Sequence, residues 1–227
     1  MTENLARLSK KIQLTPDMVE LHFTRPEGFS YLAGQFVQVR VPDGIDFTNR
    51  SYSLASTPKD ETLEMCVKVV PNGKGSAYLN ELSVGQEITI RGPLGHFVCT
   101  EDATAHFFVA TGAGIAPILG MIRDELENKN ITKKIHLLFG VRFEEDAFWL
   151  DRLDALASQY ENFSYRFTLS RPTDEWRGLK GRVTEHLADH PVDHDFYLCG
   201  SMDMVKDVRT LLLTNGVNAK KVRMEIF

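Results

Sequence analysis

Four consecutive residues in the first half of the chain, Arg50-Ser51-Tyr52-Ser53, have side chains that could bind a ligand. An arginine presents a planar fork of donors that suits a diphosphate. A tyrosine two residues later lies on the same face of a strand, where its ring can pack against a flat aromatic ligand. A serine hydroxyl can hydrogen-bond a ring heteroatom. An ordinary polar strand also explains the tetrapeptide, so these residues alone do not establish a ligand.

A glycine-containing run, Asn72-Gly73-Lys74-Gly75-Ser76, follows a predicted strand and precedes a predicted short helix over residues 77–82. Ser76 fits the N-cap position of that helix. Amides at a helix N-terminus suit a phosphate, especially after glycines that permit close approach. A hairpin turn is the competing interpretation. The chain has no Walker A motif, and the pattern therefore excludes a P-loop NTPase.

A second glycine run, Thr111-Gly112-Ala113-Gly114-Ile115-Ala116-Pro117, lies directly between a predicted strand and a predicted helix. Pro117 fits the first helical turn, where its missing N–H is harmless. The spacing is G-x-G-x-x-P, and the strand that ends at Phe139 is followed by Gly140-Val141-Arg142 without an acidic residue. The usual dinucleotide fingerprint is therefore not met. A glycine turn at the carboxyl end of a parallel strand still predicts a ligand site.

A third strand end, Leu198-Cys199-Gly200-Ser201, also leads into a predicted helix. The Cys199 thiol would lie beside a nicotinamide in one interpretation and would be a small buried side chain in the other. The terminal run Met224-Glu225-Ile226-Phe227 ends on an aromatic residue, although chain ends are usually frayed.

No metal site is predicted. His186, His190 and His194 recur every four residues, but Pro191 interrupts the helix that would place them on one face. The chain has three cysteines, which is too few for a plant-type iron–sulfur cluster, and their wide spacing gives no disulfide framework. These cysteines are Cys66, Cys99 and Cys199.

The elements that must position these motifs change character part-way along the chain. The first half has short alternating segments separated by turn residues, which predicts a small antiparallel barrel. The second half alternates apolar strands with helices, which predicts a parallel sheet covered by helices. We expect the domain boundary within residues 99–104. Predicted strands are Val19–Phe23, Gln35–Val41, Leu63–Val69, Glu87–Arg91, His106–Ala110, Ile135–Phe139, Phe163–Leu169 and Phe196–Cys199, and predicted helices are Pro117–Asn128, Phe148–Ala157 and Met202–Asn215.

Composition sets the class of protein. The chain has 227 residues, 43% of them hydrophobic and 25% charged, with a net charge of −5. The negative charge argues against nucleic-acid binding. Residues 103–122 contain no Asp, Glu, Lys or Arg, but three glycines and a proline interrupt them, so no membrane span is predicted. Because the N-terminus also lacks an apolar signal segment, we expect a cytoplasmic protein.

Taken in order, these motifs resemble the ferredoxin–NADP reductase superfamily over almost the whole chain. The resemblance rests on R-x-Y-S, a V-K strand, G-x-x-S, G-P-x-G, G-x-G-x-x-P and a late C-G. The phrases FGVRFEEDAFWLDRL and LSRPTDEWRGLKGRVTEHL are similar to bacterial oxygenase reductase modules. The resemblance implies a six-stranded antiparallel Greek-key β-barrel that holds FAD in residues 1–100. It also implies a five-stranded parallel α/β domain that holds NADH or NADPH in residues 101–227.

The same resemblance implies a role for each motif residue. Arg50, with Ser51 beside it, would pair with the FAD diphosphate, Tyr52 would pack on the flavin, and Ser53 would bond near flavin N5. Val67, Lys68 and Val69 would line the flavin and adenosine path, and Gly73, Lys74, Gly75 and Ser76 would cradle the diphosphate. The nicotinamide would be surrounded by Thr111, Gly112, Gly114, Pro117, Cys199 and Gly200. The adenosine end would be faced by Arg142, Ser170 and Arg171. Glu225 would approach the flavin edge, and Phe227 would cover a ring face. Ser53, Cys199 and Glu225 form the implied catalytic set.

The expected function is hydride transfer from NAD(P)H to flavin N5, followed by electron transfer to ferredoxin, flavodoxin, an oxygenase component or a small acceptor. Two alternatives stay open at this point. One is a flavin reductase that releases reduced flavin, and the other is a non-catalytic subunit that binds flavin or nucleotide. The choice between NADH and NADPH also stays open, with the SRPTDEW run favouring NADH by resemblance.

Overall fold

The computed structural model describes residues 3–187 and 192–227. The chain divides into two compact units. The first contains Met1–Cys99 together with Leu119–Asn128, and the second contains Thr100–Ile118 and Lys129–Phe227.

The first unit is built on one six-stranded antiparallel sheet. Its strands follow the order β4-β3-β6-β1-β2-β5. Alternate residues of the strands point to one side and form the apolar core, which explains the period of two in the sequence. The strands are β1 (Glu3–Thr15), β2 (Met18–Thr24), β3 (Phe36–Asp43), β4 (Asp46–Ser53), β5 (Thr62–Lys68) and β6 (Glu87–Leu94).

The two edges of this sheet approach each other just beyond β4. Leu54 makes a single antiparallel bridge with Met65, and the Ala55 amide donates to the Glu64 carbonyl at 2.8 Å. The expected six antiparallel strands are therefore confirmed, but one bridge rather than a full strand ladder joins β4 to β5.

The second unit has a parallel sheet in which the order is β10-β9-β8-β7-β11-β12. The predicted α/β class is confirmed. The sheet has six strands rather than five because the two-residue β10 adds an edge. Every residue of β11 is buried, as expected for a strand covered on both faces. The strands are β7 (His106–Thr111), β8 (Ile135–Val141), β9 (Phe163–Leu169), β10 (Leu179–Lys180), β11 (Asp195–Gly200) and β12 (Val222–Ile226).

Within residues 3–187 and 192–227, four α-helices accompany the sheets, and their bounds are α1 (Lys74–Glu81), α2 (Ile115–Arg123), α3 (Leu150–Gln159) and α4 (Met202–Thr214). Helix α2 continues as a π-helical turn over Asp124–Asn128. Short 3-10 turns occupy Gly112–Gly114, Glu144–Asp146, Val183–His186 and Ala219–Lys221. Among the described residues, no helix is long and apolar enough to cross a membrane.

Candidate functional site

Helix α1 brings the two motifs of the first unit together. A Cβ atom placed on Gly75 would lie 2.5 Å from the Tyr52 hydroxyl oxygen and 2.8 Å from Arg50 Cγ. Contacts that short leave no room for any side chain. The glycine of the helix start therefore lies directly against the arginine and tyrosine of β4, although the two motifs are separate in the sequence.

The side chains of β4 face different environments at this junction. Tyr52 is half-buried, and burial raises the pKa of its phenol to about 12, with the Arg50 charge opposing that rise. Arg50 is exposed, and its Nη1 donates to Thr48 Oγ1 at 2.6 Å and to the Asn49 carbonyl at 3.0 Å. Arg50 is thus held near its own strand with a charge available to an anion.

The start of α1 differs from the sequence prediction. Gly73, not Ser76, is the N-cap, and Ser76 lies inside the first turn. The Ser76 hydroxyl donates to the Gly73 carbonyl at 3.1 Å and accepts from the Val70 amide at 3.2 Å. The prediction of Ser76 as N-cap was therefore wrong, because its hydroxyl braces the turn that precedes the helix. The first amides of α1 have no acceptor within the helix, as at any helix start.

The other predicted residues of this unit lie in three settings. Ser51 is exposed, whereas Ser53, the last residue of β4, is buried. The side chain of Val67 belongs to the apolar core, and Val69 packs against that core. The two lysines are in exposed ion pairs, Lys68 with Asp17 at 3.1 Å and Lys74 with Asp43 at 2.6 Å. An incoming phosphate would compete with Asp43 for Lys74.

In the second unit, β7 pairs with β8 on one side and with β11 on the other. The chain leaves β7 toward β8 and returns later to β11, so the strand order reverses between β7 and β11. Ligands of open α/β sheets bind outside the carboxyl ends of the strands at such a switch point. The two strands end at Thr111 and Gly200, which are both predicted site residues.

Two glycines allow the backbone to close up at this switch point. A Cβ on Gly114 would lie 2.2 Å from the Cys199 carbonyl oxygen, and one on Gly200 would lie 2.2 Å from Thr111 Oγ1. Thr111 Oγ1 is itself buried and has no hydrogen-bond partner among the described residues. A bound molecule with a polar group would satisfy that hydroxyl. Gly112 has a positive φ of 53° and open space around it, and Pro117 is buried in the first turn of α2.

The C-terminal strand adds an acid beside this junction. Glu225 lies opposite Cys199 in the parallel pairing of β11 with β12, and the Phe227 amide donates to the Gly200 carbonyl at 3.1 Å. The Phe227 ring is half exposed. Burial, and then the Glu225 charge, raise the pKa of the Cys199 thiol well above its usual value. Cys199 therefore remains protonated at neutral pH, and we assign it no nucleophilic role.

This protonated state predicts slow alkylation. Because the thiolate is the reactive form, Cys199 should react with iodoacetamide at least about tenfold more slowly than the partly exposed Cys99. Peptide mass spectrometry after brief labelling at mildly alkaline pH measures both rates, and labelling in guanidinium should remove the difference. Equal rates in the folded protein would contradict the burial and charge that raise the pKa.

Loops beyond β8 and β9 hold the residues predicted for the adenosine end. The Ser170 amide donates to the Val141 carbonyl at 3.0 Å, and the Arg171 amide donates to the Arg142 carbonyl at 2.8 Å. This backbone pairing places Arg142 and Arg171 side by side. Both are exposed, and neither has an ion-pair partner in the part of the chain that the structure describes.

Hydrogen bonds between Glu144 and Thr173 connect the same two loops, and the sequence analysis did not predict them. Glu144 Oε1 accepts from the Thr173 amide at 3.1 Å and from the Thr173 hydroxyl at 2.8 Å. The hydroxyl hydrogen bond lowers the pKa of Glu144. No local signal predicts this pair because its members come from different strands and from polar loops.

Two of the three regularly spaced histidines lie in the described part of the chain. His186 Nε2 lies 3.0 Å from the Lys180 carbonyl, and His194 stacks on His136 with ring centroids 5.8 Å apart. His190 and Pro191 lie outside the described residues.

Sequence comparison matches two successive stretches of the chain to known domain families. Residues 5–99 match the oxidoreductase FAD-binding domain, and residues 108–210 match the oxidoreductase NAD-binding domain. Ferredoxin–NADP reductase B of Sorangium cellulosum is 36% identical over 235 residues, which cover 97% of this chain and 96% of that protein. The chain belongs to the ferredoxin–NADP reductase family. It is thus an FAD-binding, NAD(P)H-dependent oxidoreductase of that family.

Another relative and a solved structure are also similar to this chain. The electron transfer component of anthranilate 1,2-dioxygenase from Acinetobacter baylyi is 35% identical over 187 residues, and this chain covers 54% of its length. The chain thus spans about half the length of that electron transfer component. A crystal structure of a ferredoxin NADP+ reductase from Neisseria gonorrhoeae with bound FAD and NADP superposes with a TM-score of 0.88 at 25% identity. The match covers 100% of this chain and 99% of that one.

Proposed function

We propose that this ferredoxin–NADP reductase relative oxidises NAD(P)H with tightly held FAD and delivers the electrons to an electron-carrier protein. Residues 1–100 would form the FAD module and residues 101–227 the pyridine-nucleotide module. The observation that carries the proposal is that the fold assembles both groups of scattered motif residues. One group meets at Gly75 and the other at Gly114.

The residues at Gly75 fit a diphosphate and a flavin. Arg50 offers a guanidinium fork, α1 offers its first amides, and Gly75 lets that backbone lie against the arginine. Tyr52 supplies an aromatic surface on the same face of β4, and Ser53 follows it. When bound, FAD supplies an acceptor for the hydride of NAD(P)H at N5 and then releases electrons one at a time.

The residues at Gly114 fit a nicotinamide. Thr111 presents a buried hydroxyl that lacks a partner among the described residues, and an amide group of a ligand would satisfy it. Gly114 and Gly200 let the ends of β7 and β11 lie close together, and the neutral Cys199 adds no charge beside them. Glu225 lies in register with Cys199, and we assign it to proton handling beside the reacting ring.

The first test is whether FAD stays with the protein. We expect the protein, after reconstitution with FAD and gel filtration, to elute with about one flavin per chain and the visible flavin spectrum. Flavin that separates completely on the column would favour the alternative in which flavin is a released substrate. A protein that retains flavin but never reduces it with either nucleotide would support the non-catalytic alternative.

The proposed acceptor is a ferredoxin, a flavodoxin or an oxygenase component. Two relatives support two of these acceptors, since one is a ferredoxin–NADP reductase and the other is the electron transfer component of a dioxygenase. Cytochrome c reduction with each purified carrier added separately would identify the acceptor.

We also propose a cytoplasmic location, because the three cysteines are thiols, as expected in a reducing compartment.

Arg171 should distinguish the two pyridine nucleotides. Only NADPH carries a 2′-phosphate, and a charge-assisted hydrogen bond to it contributes about 1.5–3 kcal/mol. Arg171→Ala should therefore lower kcat/KM for NADPH about tenfold or more, and should leave kcat/KM for NADH within about twofold. Arg177→Ala, which removes another exposed arginine of the same loop, is the matched control. An equal loss of kcat/KM with NADH and NADPH would show that Arg171 does not bind the 2′-phosphate.

A further inference from the structure

A second cluster of ionisable side chains lies away from both motif groups, on strands β2 and β5. Val19, Leu21 and Phe23 of β2 point into the apolar core. The alternate residues Glu20 and His22 therefore share the opposite face of the strand. Glu64 of β5 is paired directly with His22 in the antiparallel register, which brings a third ligand-type side chain to that face.

The geometry of these three side chains is compact. One ligand atom from each of Glu20, His22 and Glu64 lies within 4.8 Å of the others, and His22 Nε2 lies 2.5 Å from Glu20 Oε1. The Glu20 side chain is 0% exposed, Glu64 is buried, and His22 is 16% exposed. Two ionised carboxylates in so compact a cluster would repel each other where water is excluded. A dication between them would offset that repulsion.

We propose that Glu20, His22 and Glu64 bind a divalent first-row transition ion, with Zn²⁺ as the best match. Zn²⁺ accepts imidazole nitrogen and carboxylate oxygen together, and three protein ligands leave a fourth position for water. The partly exposed His22 gives the ion a route from solvent. Glu20 and His22 occupy alternate positions of β2, and Glu64 is the cross-strand partner of His22. Regular strand pairing therefore places three metal-ligating side chains on one face of the sheet, and no loop is needed to position them.

Such an ion would join β2 to β5, the edge strand of the sheet. Strand β5 ends at Lys68 and leads through Val69 into the turn before α1, so the site would stabilise the strand from which the diphosphate motif departs. Zn²⁺ should accordingly raise the Tm of the FAD-loaded protein, because a ligand that binds only the folded state stabilises it. This site is independent of hydride transfer, and its test does not depend on activity.

Zinc binding by the FAD-loaded protein tests the proposal directly. Equilibrium dialysis with Zn²⁺ should show about one tightly bound ion per chain. His22→Gln and Glu64→Gln should each weaken binding by more than the 10- to 100-fold that loss of an outer-shell partner costs. His96→Gln and Glu61→Gln remove an exposed histidine and an exposed glutamate as matched controls and should bind zinc as the parent does. Undiminished binding in His22→Gln, or no saturable binding by the parent, would overturn the site.

X-ray absorption on the unmutated protein keeps the proposal testable if a variant does not fold. The zinc spectrum should show only nitrogen and oxygen ligands at about 2.0–2.2 Å, with the outer-shell scattering of one imidazole. A sulfur shell near 2.3 Å would place the ion on a cysteine and would contradict the proposal.

Discussion

Replacing Gly114 with alanine should lower kcat/KM for NAD(P)H by about 10²-fold while the protein keeps its bound FAD. The added Cβ would lie 2.2 Å from the Cys199 carbonyl oxygen and 2.4 Å from its carbonyl carbon. Both are backbone atoms, so neither can rotate away, and the switch point between β7 and β11 must widen. Displacing a positioned reactant by about 1 Å costs a rate factor of this size.

Steady-state kinetics with each donor measures the effect of Gly114→Ala, and the flavin absorption spectrum reports whether the first unit is intact. Gly85→Ala is a suitable control because its Cβ would meet open space, although its positive φ of 97° carries some backbone strain. The control should retain kcat/KM within about threefold of the parent, because Gly85 lies in the turn before β6 and belongs to neither motif group. Parent-like kinetics in Gly114→Ala would show that the nucleotide does not use this junction.

Replacing Arg50 with alanine should raise the Kd for FAD about 10- to 100-fold. Charge-assisted hydrogen bonds contribute about 1.5–3 kcal/mol, and every 1.4 kcal/mol is a factor of ten in Kd. Arg50 packs its side chain against Gly75, so its removal takes away both the charge and the aliphatic contact at the start of α1. The Kd is measured by titrating the flavin-free protein with FAD while flavin fluorescence is monitored.

Arg7→Ala is the matched control for Arg50→Ala. Arg7 is also an exposed strand arginine of the first unit, but it forms a surface ion pair with Glu87 at 2.9 Å. Surface pairs of this kind contribute about 0–1 kcal/mol, so its removal should leave the FAD Kd unchanged. If Arg50→Ala and Arg7→Ala bind FAD alike, Arg50 has no role in holding the diphosphate.

Local pattern was a good guide to the elements that surround the site. The strand before Gly112 and the helix after it are found at β7 and α2, close to the predicted bounds. Period-two alternation identified β2, β3, β5 and β6, because alternate residues of each strand lie in the apolar core. The 13-residue β1 was missed, and irregular pairing at residues 8–10 and 13–15 explains why its alternation is not continuous.

Contacts between segments that are distant in the sequence could not be predicted from the sequence alone. Nothing local shows that Gly75 touches Tyr52, or that Glu225 lies opposite Cys199, because strand pairing decides both. The terminal β12 was expected to fray, yet its backbone pairs with β11 from residue 196 to residue 200. The Glu20, His22 and Glu64 cluster was overlooked for the same reason, since its third member comes from the neighbouring strand.

Anaerobic mixing of the FAD-loaded protein with NADH and with NADPH tests the central claim most directly. The structure brings Thr111, Gly114 and Gly200 together in one unit, and Arg50, Tyr52 and Gly75 in the other. We therefore predict that at least one donor bleaches the visible band of the bound flavin completely, at a rate that saturates with donor concentration. Retained flavin that neither nucleotide bleaches would contradict the assignment of this chain as an NAD(P)H-dependent reductase.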